Sequence, residues 1–362
     1  MENFNLVLSS EEKAVFTLRA LYKKYGYSQY KMSKFEEYDL YAKNKNFLVS
    51  DNVITFTDTD GKLLALKPDV TLSIVKNDRD GLGVKKLYYN EHVYRVSKGT
   101  KSFKEIMQVG LECLGEIDGY AVTEVVYLAS KSLDCFSEKN VLDISHLGLV
   151  KSVIEYAGVS EDGEKKIIEF IAQKNLEGVR SVCNIESLSE EKTELLSKLI
   201  TVYGNAEKVL PNLDCFAVSD SAKDGIESLK QVICGLQEMG VKDKIRIDFS
   251  VINDVNYYNG VVFKGFVSGI PTGILSGGQY DNLMNKMGKK SRAIGFAVYL
   301  DGIERLSNDL LDDSVDVAIE YGENVCLKEV AAKVNELIKE GKSVIAEKVI
   351  PEGINYKTII KM

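Results

Sequence analysis

The chain has no tryptophan, only four prolines and only two histidines in 362 residues, and each shortage closes off a class of answer. With so few prolines, connections must be short or helical, and no low-complexity linker is present. His92 and His146 are the only imidazoles and lie far apart in sequence, so no zinc constellation and no metal are expected. The six cysteines, Cys113, Cys135, Cys183, Cys215, Cys234 and Cys326, show no paired spacing and read as reduced thiols. With no secretory leader recognisable at the N-terminus, the expected location is cytoplasmic. No apolar run approaches the roughly 20 residues needed to span a bilayer. Basic excess is missing too: 46 Lys and Arg face 54 Asp and Glu. A formal charge of −8 argues against a nucleic-acid binder, because such binding draws on Lys and Arg meeting phosphates. Local basic clusters at Lys85-Lys86, at Lys98, Lys101 and Lys104, and at Lys289-Lys290-Arg292 read as solvated turns.

What the chain does have is ample apolar content, 45%, for a main core plus smaller units. Ser9-Ser10-Glu11-Glu12 is a capping pattern, and Val15, Leu18, Leu21 and Tyr22 give the following helix its apolar stripe until Tyr25-Gly26 ends it. Further helices are expected at 70–77 and 122–135, and a short buried strand at 141–146. Between 147 and 244 the pattern turns helical and charged, with turns at Gly158, Gly204 and Gly240, as an inserted helical subdomain would. The sheet resumes at 245–252. Residues 269–278 (GIPTGILSGG) are the richest turn region; without a P-loop lysine they read as a strand-loop-strand corner rather than a phosphate cradle. After Leu306 come a strand (315–321), a helix (327–340) and short strands (343–349, 357–360). The expected architecture is therefore α+β: a core at 1–310 with a helical insertion at about 147–244, then a small C-terminal α/β segment at 311–362.

Residues 87–115 read as a hairpin. Tyr89, Glu91, Val93 and Arg95 alternate along its first strand, and on its second Gln108, Gly110 and Glu112 share one face because side chains two apart point the same way. By parity His92 falls on the face opposite Arg95, which points to core or interface packing. A polar hairpin face can simply be wet. Two distant segments argue otherwise: Tyr257-Tyr258-Asn259-Gly260 and Gly277-Gly278-Gln279-Tyr280-Asp281, each where a strand should meet a Gly-rich turn, supply the second wall of a small-molecule pocket.

These segments resemble a known family. VYRVSKGTKSFKEIMQVGLECLG is similar to the second signature of the class II histidyl-tRNA synthetases, and NYYNGVVF to their histidine-recognition segment. SGGQYDNL with RAIGFAVYL resembles the approach to their third signature, and KPDVT (67–71) the loop holding the amino acid's ammonium group. The likeness runs from about residue 8 to 306. It implies a class II aminoacyl-tRNA synthetase-like antiparallel sheet flanked by helices. It also implies a histidine site: Asp69, Thr71 and Gln108 around the α-ammonium, Arg95 facing the carboxylate, Glu112 and Tyr258 on the imidazole edge, with Tyr257 beside them, and Tyr280 closing the pocket. A carboxylate on one ring nitrogen and a phenol on the other side select histidine, since both nitrogens are then hydrogen-bonded.

The resemblance fails at the chemistry. Where the synthetase pattern has an arginine that stabilises charge during attack on ATP, this chain has Asn253, and a neutral amide replaces neither the charge nor the bidentate fork. Gly302 stands where the third signature's arginine clamps the γ-phosphate, and Arg305 lies too far along a helix to substitute. The arginine usual past Arg95 falls near Ser102 or Lys104, and Ser33 replaces a proline of the dimer strand.

A kept histidine site beside a disabled ATP site resembles one offshoot of these enzymes, the regulatory subunits of ATP phosphoribosyltransferase. Those lack the synthetase's anticodon-binding domain, and only 56 residues follow Leu306 here, against roughly 100 for an ordinary further domain. The resemblance implies a non-catalytic subunit without cofactors that binds no tRNA and takes histidine as effector. Its partner would be a short catalytic chain that moves a phosphoribosyl group from PRPP to ATP, with this chain as a homodimer within a hetero-octamer. No PRPP loop of acidic then small and hydroxyl residues is seen here. The alternatives are a truncated or divergent histidyl-tRNA synthetase and a free-standing histidine sensor or ligase acting on another acceptor.

Overall fold

The computed structural model describes residues 8–45, 48, 53–78, 83–96, 102–252, 257–303 and 315–362. The chain divides into two compact units, 1–306 and 307–362.

In the first unit, α1 (Ser10–Lys24) is started by a capping box: Ser9 Oγ accepts from the Glu12 amide while the Glu12 carboxylate accepts from the Ser9 amide. Its stripe Ala14, Val15, Leu18 and Tyr22 is buried. After the two-residue β1 (Ser28–Gln29) come β2 (Phe35–Glu37), α2 (Tyr38–Ala42), β3 (Thr55–Thr57) and β4 (Leu63–Leu66). β2, β4 and β3 make a small antiparallel sheet in that order, and α3 (Thr71–Asn77) follows. β5 (Lys85–Val96) and β6 (Phe103–Gly115) form the long antiparallel hairpin, with Tyr89 opposite Gly110 and Glu91 opposite Gln108. Then come α4 (Gly119–Asp134) and β7 (Asn140–His146).

The stretch after β7 is helical: α5 (Leu147–Ala157), α6 (Glu161–Ala172), α7 (Leu176–Ile185), α8 (Glu190–Thr201), the short β8 (Tyr203–Asn205), α9 (Ala206–Val209), a 3-10 turn and α10 (Asp220–Glu238). Ser160, Asn175, Ser189 and Ser219 each cap one of these helices by accepting a backbone N–H. Gly158 ends α5 in the left-handed region, φ 76°, where a side chain would strain the backbone. The sheet resumes with β9 (Ile245–Asp248), β10 (Val261–Val267), β11 (Leu275–Gln279), α11 (Asp281–Lys286) and β12 (Arg292–Tyr299). Residues 269–274 turn the chain from β10 into β11, a sheet corner as expected.

Nine strands join in the order β1-β5-β6-β12-β11-β10-β7-β9-β8, antiparallel except for β1 with β5 and β7 with β9. Side-chain alternation gives this sheet two different faces. Tyr88, Leu111, Phe296 and Phe263 point into the main core with Leu18 and Tyr22 of α1 and Val125 and Leu128 of α4. On the other face Tyr89, Val93 and Leu114 meet α3 and α11 through Leu72, Ile74, Leu283 and Met284, leaving an uncovered hollow between.

The second unit holds β13 (Val315–Glu320), α12 (Leu327–Lys339), β14 (Val344–Glu347) and β15 (Tyr356–Lys361), a parallel sheet in the order β14-β13-β15. Val317, Ile319 and Leu337 form its own small core. No helix among the described residues is long and apolar enough to cross a membrane.

Three expectations need correction. Gly277 and Gly278 lie inside β11, not in a turn; a Cβ on Gly278 would come within 2.7 Å of Val262, so these glycines serve close strand packing. His92 is not core: its side chain is 39% exposed and its Nδ1 lies 3.9 Å from Glu105 Oε1, toward the hairpin tip where Phe103 and Lys104 are also exposed. The basic clusters are largely paired rather than merely solvated, Lys85 with Asp78, Lys86 Nζ at 2.6 Å from Glu124 and Arg292 at 3.1 Å from Asp281. Lys98 and Lys101 lie outside the described residues.

Candidate functional site

The hollow is a cavity of about 490 Å³, and all eight residues singled out from the sequence line it. Asp69 and Thr71 reach it from the start of α3, Arg95 from β5, and Gln108 and Glu112 from β6. Tyr257 and Tyr258 come from the segment before β10, and Tyr280 from the N-cap of α11. Asp69 is fixed locally, since its Oδ1 accepts from the Leu72 amide at 2.8 Å and so locks the first turn of α3. Behind it Lys67, fully buried, reaches Glu91 at 2.5 Å and ties the loop to β5.

Glu112 is the centre of the arrangement. It is 2% exposed, and both its oxygens are engaged: Thr71 Oγ1 donates to Oε1 at 2.8 Å and Tyr280 OH donates to Oε2 at 2.7 Å. Burial nevertheless dominates and pushes its carboxyl from 4.5 up to about 8, against the pull of those two hydroxyls and with a further push from Asp69. The space it needs is supplied by a neighbour without a side chain: Gly295 of β12 lies directly opposite in the ladder, and a Cβ there would fall on the Glu112 carboxylate.

Around this group the charges are complementary. Burial raises the Asp69 carboxyl while Arg95 opposes that rise. Arg95 is steadied by donating from Nε to the Pro68 carbonyl at 2.8 Å and by lying 5.9 Å from the Tyr299 ring. Tyr257 packs 4.6 Å from the Tyr258 ring and 5.7 Å from that of Tyr280, an aromatic wall whose Tyr257 and Tyr280 hydroxyls are held well above their ordinary range by burial. Gln108, 2% exposed, leaves its Nε2 without a hydrogen-bond partner among the described residues. An orphaned buried donor in a cavity wall is costly unless a ligand meets it. The set can receive a zwitterion between Asp69 and Arg95 and hold a hydrogen-bonding ring against Glu112 and the phenols.

Sequence reading left out nine of the lining residues. Tyr89, Tyr299, Lys264 and Gly295 also line the cavity. Parity with Arg95 was enough to place Tyr89 on this face. Gly295 and Tyr299 needed the ladder register, which pairs them with Glu112 and Gln108. Of the positions read as lost, Gly302 sits in a turn after β12, where among the described residues an added Cβ would meet Ile270 at 3.7 Å, while Asn253, like the nearby Arg305, lies outside the described residues.

Comparison with known proteins agrees with this architecture. Residues 8–303 match the family described as histidyl-tRNA synthetase. A curated relative in Clostridium kluyveri, named ATP phosphoribosyltransferase regulatory subunit, is 28% identical over 91% of this chain and 86% of its own length. A solved structure from Bacillus halodurans, titled an ATP phosphoribosyltransferase regulatory subunit/histidyl-tRNA synthetase, superposes with a TM-score of 0.80 at 21% identity, covering 100% of this chain and 95% of that one. An ATP phosphoribosyl transferase complex from Thermotoga maritima contributes a chain matching at TM-score 0.64 and 19% identity, over 80% of this chain and 97% of that one. A class II synthetase-like sheet flanked by helices, reached from two independent directions, thus rests on a sequence match across most of its length: this chain belongs to the histidyl-tRNA synthetase family.

Proposed function

We propose that this chain is a non-catalytic regulatory subunit of ATP phosphoribosyltransferase, which activates a short catalytic chain and conveys histidine feedback in the first step of histidine biosynthesis. What carries this reading is that curated relatives aligned over most of the chain bear that name. The site is consistent with it: an enclosed carboxylate, a charge pair and an aromatic wall suit an imidazole amino acid, while Gly302 offers no cation for a triphosphate. In this reading Asp69, Thr71 and Gln108 meet the ammonium group and Arg95 the carboxylate. Glu112, Tyr257 and Tyr258 meet the ring, and Tyr280 closes over it. Within the complex the chain is a homodimer in a hetero-octamer. Feedback requires histidine to bind one quaternary state better than the other, since equal binding shifts nothing.

The test is direct. A short phosphoribosyltransferase chain from the same cells should co-purify with this protein, be faster in its presence and lose that gain when histidine is added. If the catalytic chain neither binds nor responds, the reading fails. A second reading, a divergent histidyl-tRNA synthetase, has the family match in its favour. Histidine-dependent pyrophosphate exchange by the purified chain decides for it.

A further inference from the structure

A second cavity, of about 280 Å³, opens where the helical insertion meets the sheet, between α5, α6, residues 258–259 and Asn282 of α11. Helix packing accounts for it. A short turn at 158–160 joins α5 to α6, yet α6 packs on α7 while α5 packs on α8 and α10. A cleft is left between them, with Ile154 of α5 on one side and Ile168 of α6 on the other. Gly148 lets α5 sit close against the 258–259 wall, since a Cβ there would come within 3.1 Å of His146 Cε1 and 3.4 Å of the Asn259 carbonyl oxygen.

The cavity is graded from floor to mouth. Leu147, Val150 and Ile154, at helical spacing on one face of α5, are buried and apolar, and Ile168 and Tyr258 extend that surface. Lys151, exposed on α5, and Glu164, half-exposed on α6, add one charge of each sign. Neither is firmly engaged. Lys151 Nζ reaches Glu155 Oε1 at 3.8 Å, between two solvent-exposed side chains. The cation next to Glu164, Lys165, turns instead to Glu161 at 2.9 Å. Opposite charges at the mouth and an apolar floor suit a zwitterion with an apolar body. The volume sets its size: ligand cavities ordinarily run from about 300 Å³ upward, so this one takes a single amino acid and not a nucleotide.

One wall is shared with the first cavity. Tyr258 lines both, and its ring lies 4.6 Å from that of Tyr257. Asn259 donates from Nδ2 to Asp281 Oδ2 at 3.1 Å and accepts at Oδ1 from the Asp281 amide at 2.9 Å. Asp281 directly follows Tyr280, whose hydroxyl donates to Glu112. A ligand resting on Tyr258 and Asn259 therefore presses on groups tied to the Glu112 side.

We infer that the second cavity binds an α-amino acid with an apolar side chain, and that its occupancy is read at the Glu112 cavity through Tyr258 and the pairing of Asn259 with Asp281. The binding stands by itself; the readout rests on histidine occupying the Glu112 cavity, as proposed above.

Calorimetric titration of leucine, isoleucine, valine, methionine and phenylalanine into the full chain, free and saturated with histidine, tests it. At least one should bind both forms, since the two cavities fill separately. For that amino acid Lys151→Gln and Glu164→Gln, both at solvent-facing positions, should each weaken binding about fivefold, the size of one charge-assisted contact at a hydrated mouth. Glu112→Gln should leave it unchanged. Histidine affinity should shift about threefold when the second cavity is saturated, and the other amino acid's affinity by the same factor when histidine is bound. No binding by any of the five, binding that survives both charge variants, or binding lost in Glu112→Gln, which would put the ligand in the first cavity, overturns the site. Equal histidine affinity with the second cavity filled overturns the readout. Should histidine itself not bind, the function proposed above fails separately, and titration of the five amino acids into the free chain and its charge variants still decides for or against the second site.

Discussion

Glu112 and Lys264 face one cavity from opposite walls, and their surroundings differ in kind. Glu112 is enclosed, accepts two hydroxyl donors and is braced by a glycine across the ladder. Lys264 lies over a floor of small residues with no carboxylate to meet it among the described residues. One wall is preorganised before any ligand arrives, which limits what it can accept. The other is charged but open.

The sharpest way to break the contrast is to fill the enclosed wall. Gly295→Ala places a Cβ on the Glu112 carboxylate and close to the Leu111 carbonyl. Overpacking of this kind costs about 1–3 kcal/mol, so histidine affinity should fall by up to ~100-fold, while the far wall is untouched. Calorimetry showing unchanged affinity would move the ligand away from Glu112.

Glu112→Gln should weaken histidine binding by about 1 kcal/mol, since an amide NH2 replaces one of the two oxygens that accept hydrogen bonds in this wall. Its effect on the empty protein has the opposite sign. The folded state holds the Glu112 proton more tightly than the unfolded chain does, so that contribution is complete below about 4.5 and is lost as pH climbs to about 8. Glutamine does not ionise and escapes the loss. The variant should therefore gain stability over the unaltered chain as pH rises through this window, on the order of 3 kcal/mol by pH 7. Chemical denaturation at several pH values reads this directly, and a constant difference would mean Glu112 is not buried as described. Weaker binding with higher stability is the signature of a residue kept for a ligand.

Tyr280→Phe removes one donor and keeps the ring. Because the Tyr280 hydroxyl lowers the Glu112 carboxyl, its loss should raise that carboxyl further and weaken histidine by about 1 kcal/mol, roughly fivefold. A change in affinity without a change in the pH profile would separate the phenol's contact with ligand from its hold on Glu112.

The two walls also differ in how far the sequence exposed them. Period-two alternation placed Arg95, Gln108 and Glu112 on one face without any structure, and turn and cap residues located α1, α3 and α4 within a few positions. What alternation cannot give is register between strands distant in sequence. Gly295 meets Glu112 and Lys264 faces Gly110's row only because β12, β11 and β10 align residue by residue. The same blindness made Gly277 and Gly278 look like a turn, since a glycine required by a neighbour's side chain and one required by φ are identical in sequence. The core half of the expectation for His92 failed for a related reason: parity names a face but not whether the chain itself covers it.

The smallest effect concerns the position outside the described residues. Restoring the synthetase-type cation by Asn253→Arg should leave histidine-dependent pyrophosphate exchange at background, because one guanidinium near the attacking carboxylate does not hold the γ-phosphate that Gly302 leaves without a clamp. Phosphoryl chemistry of this kind depends on several cations acting as a unit, so one of them alone supplies little. Exchange regained by that single change would mean the open wall still binds a triphosphate and that Lys264 or another cation already does the clamping. Exchange appearing only when Gly302→Arg is added would show that the two lost positions, and not the amino-acid wall, separate this chain from a working ligase.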